Sequence, residues 1–367
     1  MKLSKIAIID TAIDATRIGG KLFEFVNLCA SSDVFNDADI NHGTICAMLL
    51  DFCADSTYEL VNIQIFDNAR EKVAKNSSEI GKLAEALQLC WELKVDIVSL
   101  SAVSSILSDS KYLYDVTKKL SKRAVIVCSL DNMRYITVPA SYPHVLGVSA
   151  DVGRLLSPGG IAYKMDDPLG ANVYANCDFC FLRKRRHWSS NSFAVPVVAA
   201  YVNNLLNQGY SISEAKSKLR KLPLYSFDVD GNTSSMMLSS EMETPVVFFS
   251  DESTVTCGLL MDALFEKYEV QSAALSFVDG QYDVRVKKIE VGGLLKEDLR
   301  YMEKHYKTDI IFIIGLESQL EKTGQVVEID VTLLKKRDGK TFIKYESGQE
   351  SVHTAMIPDR LHDILSE

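Results

Sequence analysis

Four mostly apolar runs constrain the fold of this chain more than any other feature of its sequence. The runs are short and rich in β-branched residues, and they lie at Ile6–Ile9, Leu60–Ile65, Val95–Leu100 and Ala124–Cys128. Strands that are apolar on both sides belong to sheets covered on both faces, which is typical of parallel sheets. Between the second and third runs, apolar residues recur with the 3.6-residue period of a helix. The sequence therefore predicts a doubly wound, mostly parallel α/β domain.

A second, smaller α/β pattern follows an aperiodic stretch. Residues 226–244 are rich in Ser, Asp and Asn and lack an apolar period, which indicates a linker. Beyond it we expect a strand at Val246–Phe249, a helix at Thr256–Lys267, a buried strand at Asp309–Ile314, and a hairpin of Val326–Leu334 and Thr341–Tyr345 around an Asp-Gly turn. The predicted organisation is an α/β domain at 1–225, the linker, and an accessory α/β domain at 245–367.

Length and charge exclude several classes of protein. The chain has 367 residues, enough for two domains, and its net charge of -9 argues against a nucleic-acid binder. It contains no apolar run of the roughly 18 residues that a membrane span needs. The apolar part of the N-terminus is too short for a secretory signal, so we expect a cytoplasmic protein with reduced cysteines. Cys46, Cys90 and Cys128 lie in apolar segments and are expected to be small core residues.

Three residues in the first domain have side chains that together suit nucleophilic catalysis. Asp10 ends the first strand, His42 stands directly before the apolar segment 45–52, and Ser192 precedes another apolar segment. Taken singly, Asp10 could be a turn former or helix cap, His42 a capping or loop histidine, and Ser192 a helix N-cap. Taken together, a serine needs a base, and the base needs a carboxylate to hold its tautomer. Because strand ends and helix starts meet at one edge of a parallel sheet, we expect the three to converge there.

The segments around these residues resemble the subtilisin (S8) family of serine peptidases. Asp10-Thr11-Ala12, His42-Gly43-Thr44 and Ser190-Asn191-Ser192-Phe193-Ala194-Val195-Pro196 follow the order of that family's three active-site elements, and the resemblance covers about residues 3–215. It implies a subtilisin-like fold in which Ser192 is the nucleophile, His42 the general base and Asp10 the residue that orients it.

Three further segments extend this resemblance. Asn132 follows a buried strand where the family has its oxyanion-hole asparagine, although a plain turn residue is the alternative. Residues 138–150 are similar to the family's Pro-Ala segment. By the resemblance, Asn132 would donate its amide to the oxyanion, together with the backbone N–H of Ser192. The family's substrate-binding strand edge corresponds to Ser99, Leu100, Ser101 and Ala102, where an extended peptide would pair through its backbone.

Several positions depart from the family pattern without removing a reacting group. Thr11-Ala12 replaces Thr-Gly, Ser190-Asn191 replaces Gly-Thr, and Phe193 replaces methionine. The first predicted strand begins close to Met1, so we expect folding without a pro-segment. The resemblance implies a serine endopeptidase that forms an acyl-enzyme, without cofactor or metal, and that processes a ribosomally made precursor (leader) peptide. The alternative is an inactive subtilisin-fold scaffold that binds a precursor peptide or a partner protein.

Two motifs near Ser192 stay open. Cys177 and Cys180 form a single Cys-x-x-Cys pair, but zinc normally needs two more ligands, so a metal site or a reactive dithiol is the less favoured interpretation. The basic run Arg183–His187 is either a solvated loop or a site for an acidic peptide.

The accessory domain faintly resembles a degenerate P-loop domain. In that register Val255 takes the place of the phosphate-binding lysine, no glycine opens the loop, and Asp309 is only a distant match to a metal-side aspartate. Because the phosphate cradle needs both the lysine charge and glycine backbone freedom, we expect no nucleotide binding. The domain would serve substrate recognition, self-association or binding of a protein partner.

Overall fold

The chain divides into two compact units. They are Met1–Ser105 with Asp109–Ser235, and Met236–Glu367 with Ile106–Ser108. The computed structural model describes residues 3–18, 22–29, 40–55, 57–67, 77–165, 167, 169–179, 190–225, 242–335 and 340–366. Most of the predicted linker, 226–244, falls outside these residues, so its boundaries stay a prediction.

The first unit alternates strands and helices. Its described strands are β1 (Ser4–Asp10), β2 (Leu22–Asn27), β3 (Tyr58–Gln64), β4 (Ile97–Leu100), β5 (Val125–Ser129), β6 (Leu146–Ala150), β7 (Ile161–Tyr163) and β8 (Ala171–Ala175). Its described helices are α1 (His42–Cys53), α2 (Ser77–Glu92), α3 (Ser110–Leu120), α4 (Asn191–Asn207) and α5 (Ile212–Leu219), with a short 3₁₀ turn at Ala15–Ile18. A second 3₁₀ turn, Leu107–Asp109, crosses the boundary between the two units. The four apolar runs correspond to β1, β3, β4 and β5, with their ends shifted by one or two residues.

The strands form one sheet in the order β2-β3-β1-β4-β5-β6-β8-β7. Every pair of neighbours is parallel except β7 and β8. Ile6 and Ile8 share a core with α1 and α4, while Ala7 and Ile9 point to the opposite face and are also buried. Helices therefore cover both faces, which confirms the predicted doubly wound, mostly parallel α/β fold.

The second unit is a smaller α/β structure. Its described strands are β9 (Val246–Ser250), β10 (Ser272–Ser276), β11 (Val286–Lys288), β12 (Ile310–Gly315), β13 (Val331–Lys335), β14 (Lys340–Tyr345) and β15 (Gly348–His353). Its described helices are α6 (Thr254–Tyr268), α7 (Leu295–His305), α8 (Glu317–Lys322) and α9 (Ile357–Ser366), with a 3₁₀ turn at Thr354–Met356. The sheet order is β11-β10-β12-β9-β13-β14-β15, with parallel strands from β11 to β13 and antiparallel strands from there to β15.

One strand of the second unit begins later than the sequence predicts. The expected strand at 326–334 is observed as β13, which starts at Val331. β13 pairs with β9, and β9 itself begins at Val246, whose N–H donates to the Asp330 carboxylate at 2.7 Å. Residues before Asp330 therefore have no β9 residue beside them, and Val326 is exposed. The predicted antiparallel pairing of this strand with β14 is observed, although the Asp-Gly turn lies outside the described residues.

The cysteines and the helices bear on two further expectations. Cys46, Cys90 and Cys128 are fully buried, as the sequence predicts. Within the described ranges, no helix combines the length and the apolar character needed to cross a membrane.

Candidate active site

Asp10 and His42 meet at the carboxyl edge of the first sheet. Asp10 is the last residue of β1, and its Oδ1 accepts the backbone N–H of Thr11 at 2.7 Å. Its two carboxylate oxygens lie 3.0 and 2.8 Å from Nδ1 of His42. Because a carboxylate can only accept, Nδ1 carries a proton, and in the neutral imidazole Nε2 is then left as the acceptor. The pair thus fixes both the orientation and the tautomer of the imidazole.

The start of α1 is held against the turn that follows β1. Asn41 caps the helix by accepting the N–H of Thr44 at 2.9 Å, and its side-chain amide donates to the carbonyl of Ala12 at 2.6 Å. A Cβ on Gly43 would lie 2.4 Å from the carbonyl oxygen of Thr11, closer than real contacts allow. The glycine after His42 is therefore required for the close approach that brings the imidazole to Asp10.

Ser192 completes a hydrogen-bonded series from carboxylate to hydroxyl. It is the second residue of α4, and its Oγ lies 3.0 Å from Nε2 of His42. The residue that caps α4 is Ser190, so Ser192 is not the N-cap considered from the sequence. The arrangement can pass a proton from the hydroxyl to the imidazole while Asp10 holds the other side of the ring.

Asn191 anchors the start of α4 beneath these groups. Its Oδ1 accepts the backbone N–H of Ala150 at 2.8 Å, and its Nδ2 donates to the carbonyls of Leu130 and Asp131, both at 3.1 Å. The side chain is buried, so these bonds are shielded from water. They tie the helix start to the ends of two strands and so fix the backbone that carries Ser192.

The environment of His42 favours its charged form. Burial lowers the pKa of His42, but the carboxylate of Asp10 and the neighbouring Cys46 together outweigh that effect and raise the pKa well above its usual value. The ring also stacks on Phe193, with centroids 5.1 Å apart. Phe193 replaces the methionine of the family pattern, and in this position it covers one face of the imidazole.

Asn132 lies beside the nucleophile with a defined amide orientation. Its Oδ1 accepts the backbone N–H of Asn191 at 3.0 Å, and its Nδ2 donates to Oγ of Ser190 at 3.3 Å. An N–H can only donate, so the side-chain atom facing Asn191 must be the oxygen. The amide NH₂ therefore points toward the hydroxyl of Ser190, whose oxygen lies 2.8 Å from Oγ of Ser192.

Two residues at this site were missed by sequence reasoning. Ser190 places its Oγ 2.8 Å from Oγ of Ser192. Cys46 lies one helical turn after His42, with its Sγ 3.7 Å from Nδ1 and 3.9 Å from a carboxylate oxygen of Asp10. The four-residue spacing on a helix is a signal that could have found Cys46. Ser190 has no such signal, because a serine before a helix ordinarily caps it.

Asp10, His42 and Cys46 are also a group whose side chains could hold a metal. Their donor atoms all lie within 4.8 Å of one another. However, a metal needs Cys46 as thiolate, and burial raises the pKa of this thiol. A metal on Nδ1 would also displace the hydrogen bond from His42 to Asp10. The geometry suits proton transfer better than metal binding.

The four residues expected at the substrate edge fall into two pairs. Ser99 and Leu100 are buried within β4, whose neighbours β1 and β5 pair with them on both sides. Their backbones therefore have no free edge for a peptide. Ser101 and Ala102 follow the strand, with Oγ of Ser101 3.5 Å from the carbonyl of Ser192. Of the four, Ser101 is the residue with a described contact to the site, and Ala102 follows it in the chain.

The remaining motifs lie partly outside the described residues. Cys177 is buried, with its Sγ 3.8 Å from the carbonyl of Ser190. Its expected partner Cys180 and the basic run Arg183–His187 are not among the described residues, so the interpretations of both motifs stay predictions.

Solved structures similar to this chain are subtilisin-like proteases. A cold-adapted subtilisin-like serine proteinase matches with 13% identity and a TM-score of 0.43, covering 59% of this chain and 81% of its own. The prenylagaramide maturation protease PagA has 17% identity and a TM-score of 0.37, and the match covers 59% of this chain and 80% of PagA. The patellamide maturation protease PatA has 17% identity and a TM-score of 0.35, and the match covers 58% of this chain and 83% of PatA. No family model matches the chain, and no curated protein matches it.

Proposed function

We propose that this chain is a serine endopeptidase in which Ser192, His42 and Asp10 form the catalytic triad. The observation that carries the proposal is the unbroken series of hydrogen bonds between them. Oγ of Ser192 lies 3.0 Å from Nε2 of His42, and Nδ1 lies 2.8 Å from the nearer carboxylate oxygen of Asp10. These residues are separated by 32 and 150 positions in the sequence, so the fold alone brings them together.

The reaction follows from the roles that each group can take. Oγ of Ser192 attacks the carbonyl carbon of the peptide bond, its proton passes to Nε2 of His42, and the carbonyl electron pair moves onto the oxygen. Asp10 stabilises the imidazolium that forms. His42 then gives its proton to the leaving amine, and an acyl-enzyme remains. A water molecule, deprotonated by His42, releases the acyl group and restores Ser192.

Asn132 would stabilise the oxyanion that forms during both steps. Its amide orientation, set by the N–H of Asn191, directs Nδ2 to the side of the nucleophile. A preorganised donor of this kind costs no reorganisation when charge develops, and removing one typically lowers turnover by about 10²–10³-fold. The hydrogen bond that Nδ2 makes in the resting site goes to another hydroxyl, that of Ser190.

A fluorophosphonate probe tests the proposal directly. The activated serine displaces fluoride from phosphorus, so the intact chain should be labelled and Ser192→Ala should not. Ser211→Ala is the matched control, because this serine caps α5 through its contacts with Glu214 and should leave labelling unchanged. A folded preparation that is not labelled would contradict the endopeptidase and favour the peptide-binding scaffold.

We further propose a ribosomally made precursor peptide as the substrate, cleaved at the end of its leader. This narrower proposal rests on the sequence resemblance and predicts cleavage at one position in a cognate precursor. Mass spectrometry of the products checks it, and broad digestion of casein would count against it while leaving the peptidase proposal intact.

A further inference from the structure

Ser190 does not use its hydroxyl as an N-cap serine ordinarily does. It stands at the N-cap of α4 with extended backbone, φ -78° and ψ 145°, yet its side chain makes no capping hydrogen bond to the helix. A serine at this position ordinarily stabilises its helix by accepting a backbone N–H of the first turn. Ser253 in the second unit shows the usual arrangement, since its Oγ accepts the N–H of Val255 at 3.2 Å. The hydroxyl of Ser190 is therefore available for a role other than capping.

That hydroxyl lies between the proposed nucleophile and the proposed oxyanion donor. Its oxygen is 2.8 Å from Oγ of Ser192 and accepts from Nδ2 of Asn132 at 3.3 Å. An oxyanion formed on a carbonyl attacked by Ser192 must also lie close to that Oγ and within reach of Nδ2. In the resting site, the oxygen of Ser190 thus takes the hydrogen bond that a substrate oxygen would later receive.

The other polar side chain at the start of α4 cannot serve this purpose. Asn191 uses its oxygen for the backbone N–H of Ala150 and for Oγ of Ser149, and its nitrogen for two carbonyls. All of these partners lie on the side of the strand ends. Ser190 is therefore the only one of the two whose side chain faces the reacting groups.

We propose that the hydroxyl of Ser190 is a second side-chain donor to the oxyanion. This inference rests on the proposed peptidase function. As Oγ of Ser192 bonds to the carbonyl carbon and its proton passes to His42, the carbonyl oxygen gains the electron pair and becomes the stronger acceptor. Nδ2 of Asn132 transfers its hydrogen bond to that oxygen, and the Ser190 O–H rotates to donate to it. A hydroxyl donates and accepts at the same time, so rotation about its C–O bond alone redirects the O–H of Ser190 from Oγ of Ser192 to the new acceptor.

The expected signature is a loss in turnover rather than in binding. Because the bond is made only once charge develops, Ser190→Ala should lower kcat by about 10²-fold and leave KM nearly unchanged. Ser190→Thr keeps the hydroxyl and should retain most of the wild-type kcat. A peptide aldehyde, which forms a tetrahedral adduct with Ser192, should bind Ser190→Ala about 10²-fold more weakly than wild type.

The experiment measures kcat, KM and the aldehyde inhibition constant for the full-length wild type, Ser190→Ala, Ser190→Thr and Asn132→Ala on one peptide substrate. Ser211→Ala serves as a capping control that should change none of these values. The inference also predicts that the effects of Ser190→Ala and Asn132→Ala are not additive in the double variant, because their donors share one acceptor.

Each outcome decides the inference separately from the proposed function. An active wild type with unchanged kcat in Ser190→Ala overturns the donor role, and a raised kcat would show that the hydroxyl blocks the site instead. If Ser190→Ala fails to fold, a Ser190→Thr with full kcat and aldehyde affinity supports the role, and a loss in both overturns it. A folded wild type that neither hydrolyses peptide nor reacts with fluorophosphonate overturns the proposed function itself, and this inference with it.

Discussion

The two units carry the same local arrangement at the end of their first strand, yet only the first places an imidazole there, and the second places a lysine ammonium. Asp10 ends β1 and Asp251 directly follows β9. In both cases Oδ1 accepts the N–H of the next residue at 2.7 Å. The other oxygen of Asp10 meets Nδ1 of His42 at 2.8 Å, whereas that of Asp251 meets Nζ of Lys335 at 3.2 Å.

The series of hydrogen bonds continues to a hydroxyl in both units. Nε2 of His42 lies 3.0 Å from Oγ of Ser192, and Nζ of Lys335 lies 3.1 Å from Oγ1 of Thr256. An imidazole with a proton on Nδ1 can accept one on Nε2, but a lysine ammonium has only donors. The second series can therefore hold the edge together without activating its hydroxyl. Similar folds place similar groups at this edge, and the chemistry of the middle residue determines what the edge can do.

The largest effect that would sharpen this comparison comes from Asp10→Asn. An amide in place of the carboxylate can hold the wrong tautomer of His42 and removes the charge that stabilises the imidazolium, so turnover should fall by about 10⁴-fold. Asp251→Asn is the matched control and should leave kcat/KM unchanged. Steady-state kinetics on one peptide substrate measures both, and equal losses in the two variants would refute the assignment of the active edge.

The same variant has a defined effect on the pH profile. Burial lowers the pKa of His42, but Asp10 and Cys46 together raise it well above its usual value, and His42 acts as a base only when neutral. Wild-type kcat/KM should therefore rise as pH increases through a value well above that of an ordinary histidine. Removing the carboxylate lowers this pKa, so the residual activity of Asp10→Asn should rise at lower pH. A midpoint that moves to higher pH would contradict the proposed pairing.

The next effect concerns the second unit, where a charged cluster serves stability. The guanidinium of Arg285 is nearly buried and donates to Asp262 at 2.6 Å and to Asp283 at 2.8 Å. Arg285→Met leaves two carboxylates without their shared cation. Because Asp262 and Asp283 are both partly exposed, the loss should be smaller than for a fully buried ion pair. We expect the unfolding free energy of that unit to fall by about 2 kcal/mol.

Urea unfolding followed by circular dichroism measures this loss, and fluorophosphonate labelling in native buffer should stay at the wild-type level. Arg300→Met, at an exposed position of α7, is the control and should change neither. If Arg285→Met abolished labelling while the chain remained folded, the separation between a stabilising edge and a reactive edge would be wrong.

Much of the first unit could be predicted because its signals are local. The apolar runs identify strands that are buried on both faces, and the residues that end or follow such strands share one edge of the sheet. The expectation that Asp10, His42 and Ser192 converge combined this rule and the chemistry of the three side chains with the resemblance of their segments to the subtilisin family. Gly43 shows why the short motif around the histidine is so constrained, since any side chain there would meet the carbonyl of Thr11.

Other features depend on contacts between distant segments, which a sequence pattern does not encode. The direction of the Ser190 hydroxyl is set by Asn132 and Ser192 rather than by its own helix. An apolar run also does not reveal where a strand ends. The predicted substrate-binding edge therefore includes Ser99 and Leu100 of β4 together with Ser101 and Ala102, which follow the strand. β15 was not predicted, because its Gly-Gln-Glu-Ser-Val-His sequence is mostly polar and lies at the edge of its sheet.

The smallest expected effect separates a cap that only stabilises a helix from one that also positions a base. Asn41 caps α1 and Ser253 caps α6, each by accepting one backbone N–H of the first turn. Asn41→Ala and Ser253→Ala should each cost about 1 kcal/mol of stability. His42 follows Asn41 directly, so loss of the first cap should also displace the imidazole and lower kcat by about tenfold, since small misplacements of catalytic groups reduce rates.

Thermal melting and steady-state kinetics on the two variants distinguish these roles. Asn41→Asp refines the test, because it keeps the oxygen that caps α1 and loses the amide that donates to Ala12 at 2.6 Å. Retained kcat in Asn41→Asp would assign the positioning to the cap, and a loss equal to that of Asn41→Ala would assign it to the bond with Ala12. If Ser253→Ala lowered kcat as much as Asn41→Ala, the loss would be a general effect of reduced stability. Asn41 would then have no separate role in positioning His42.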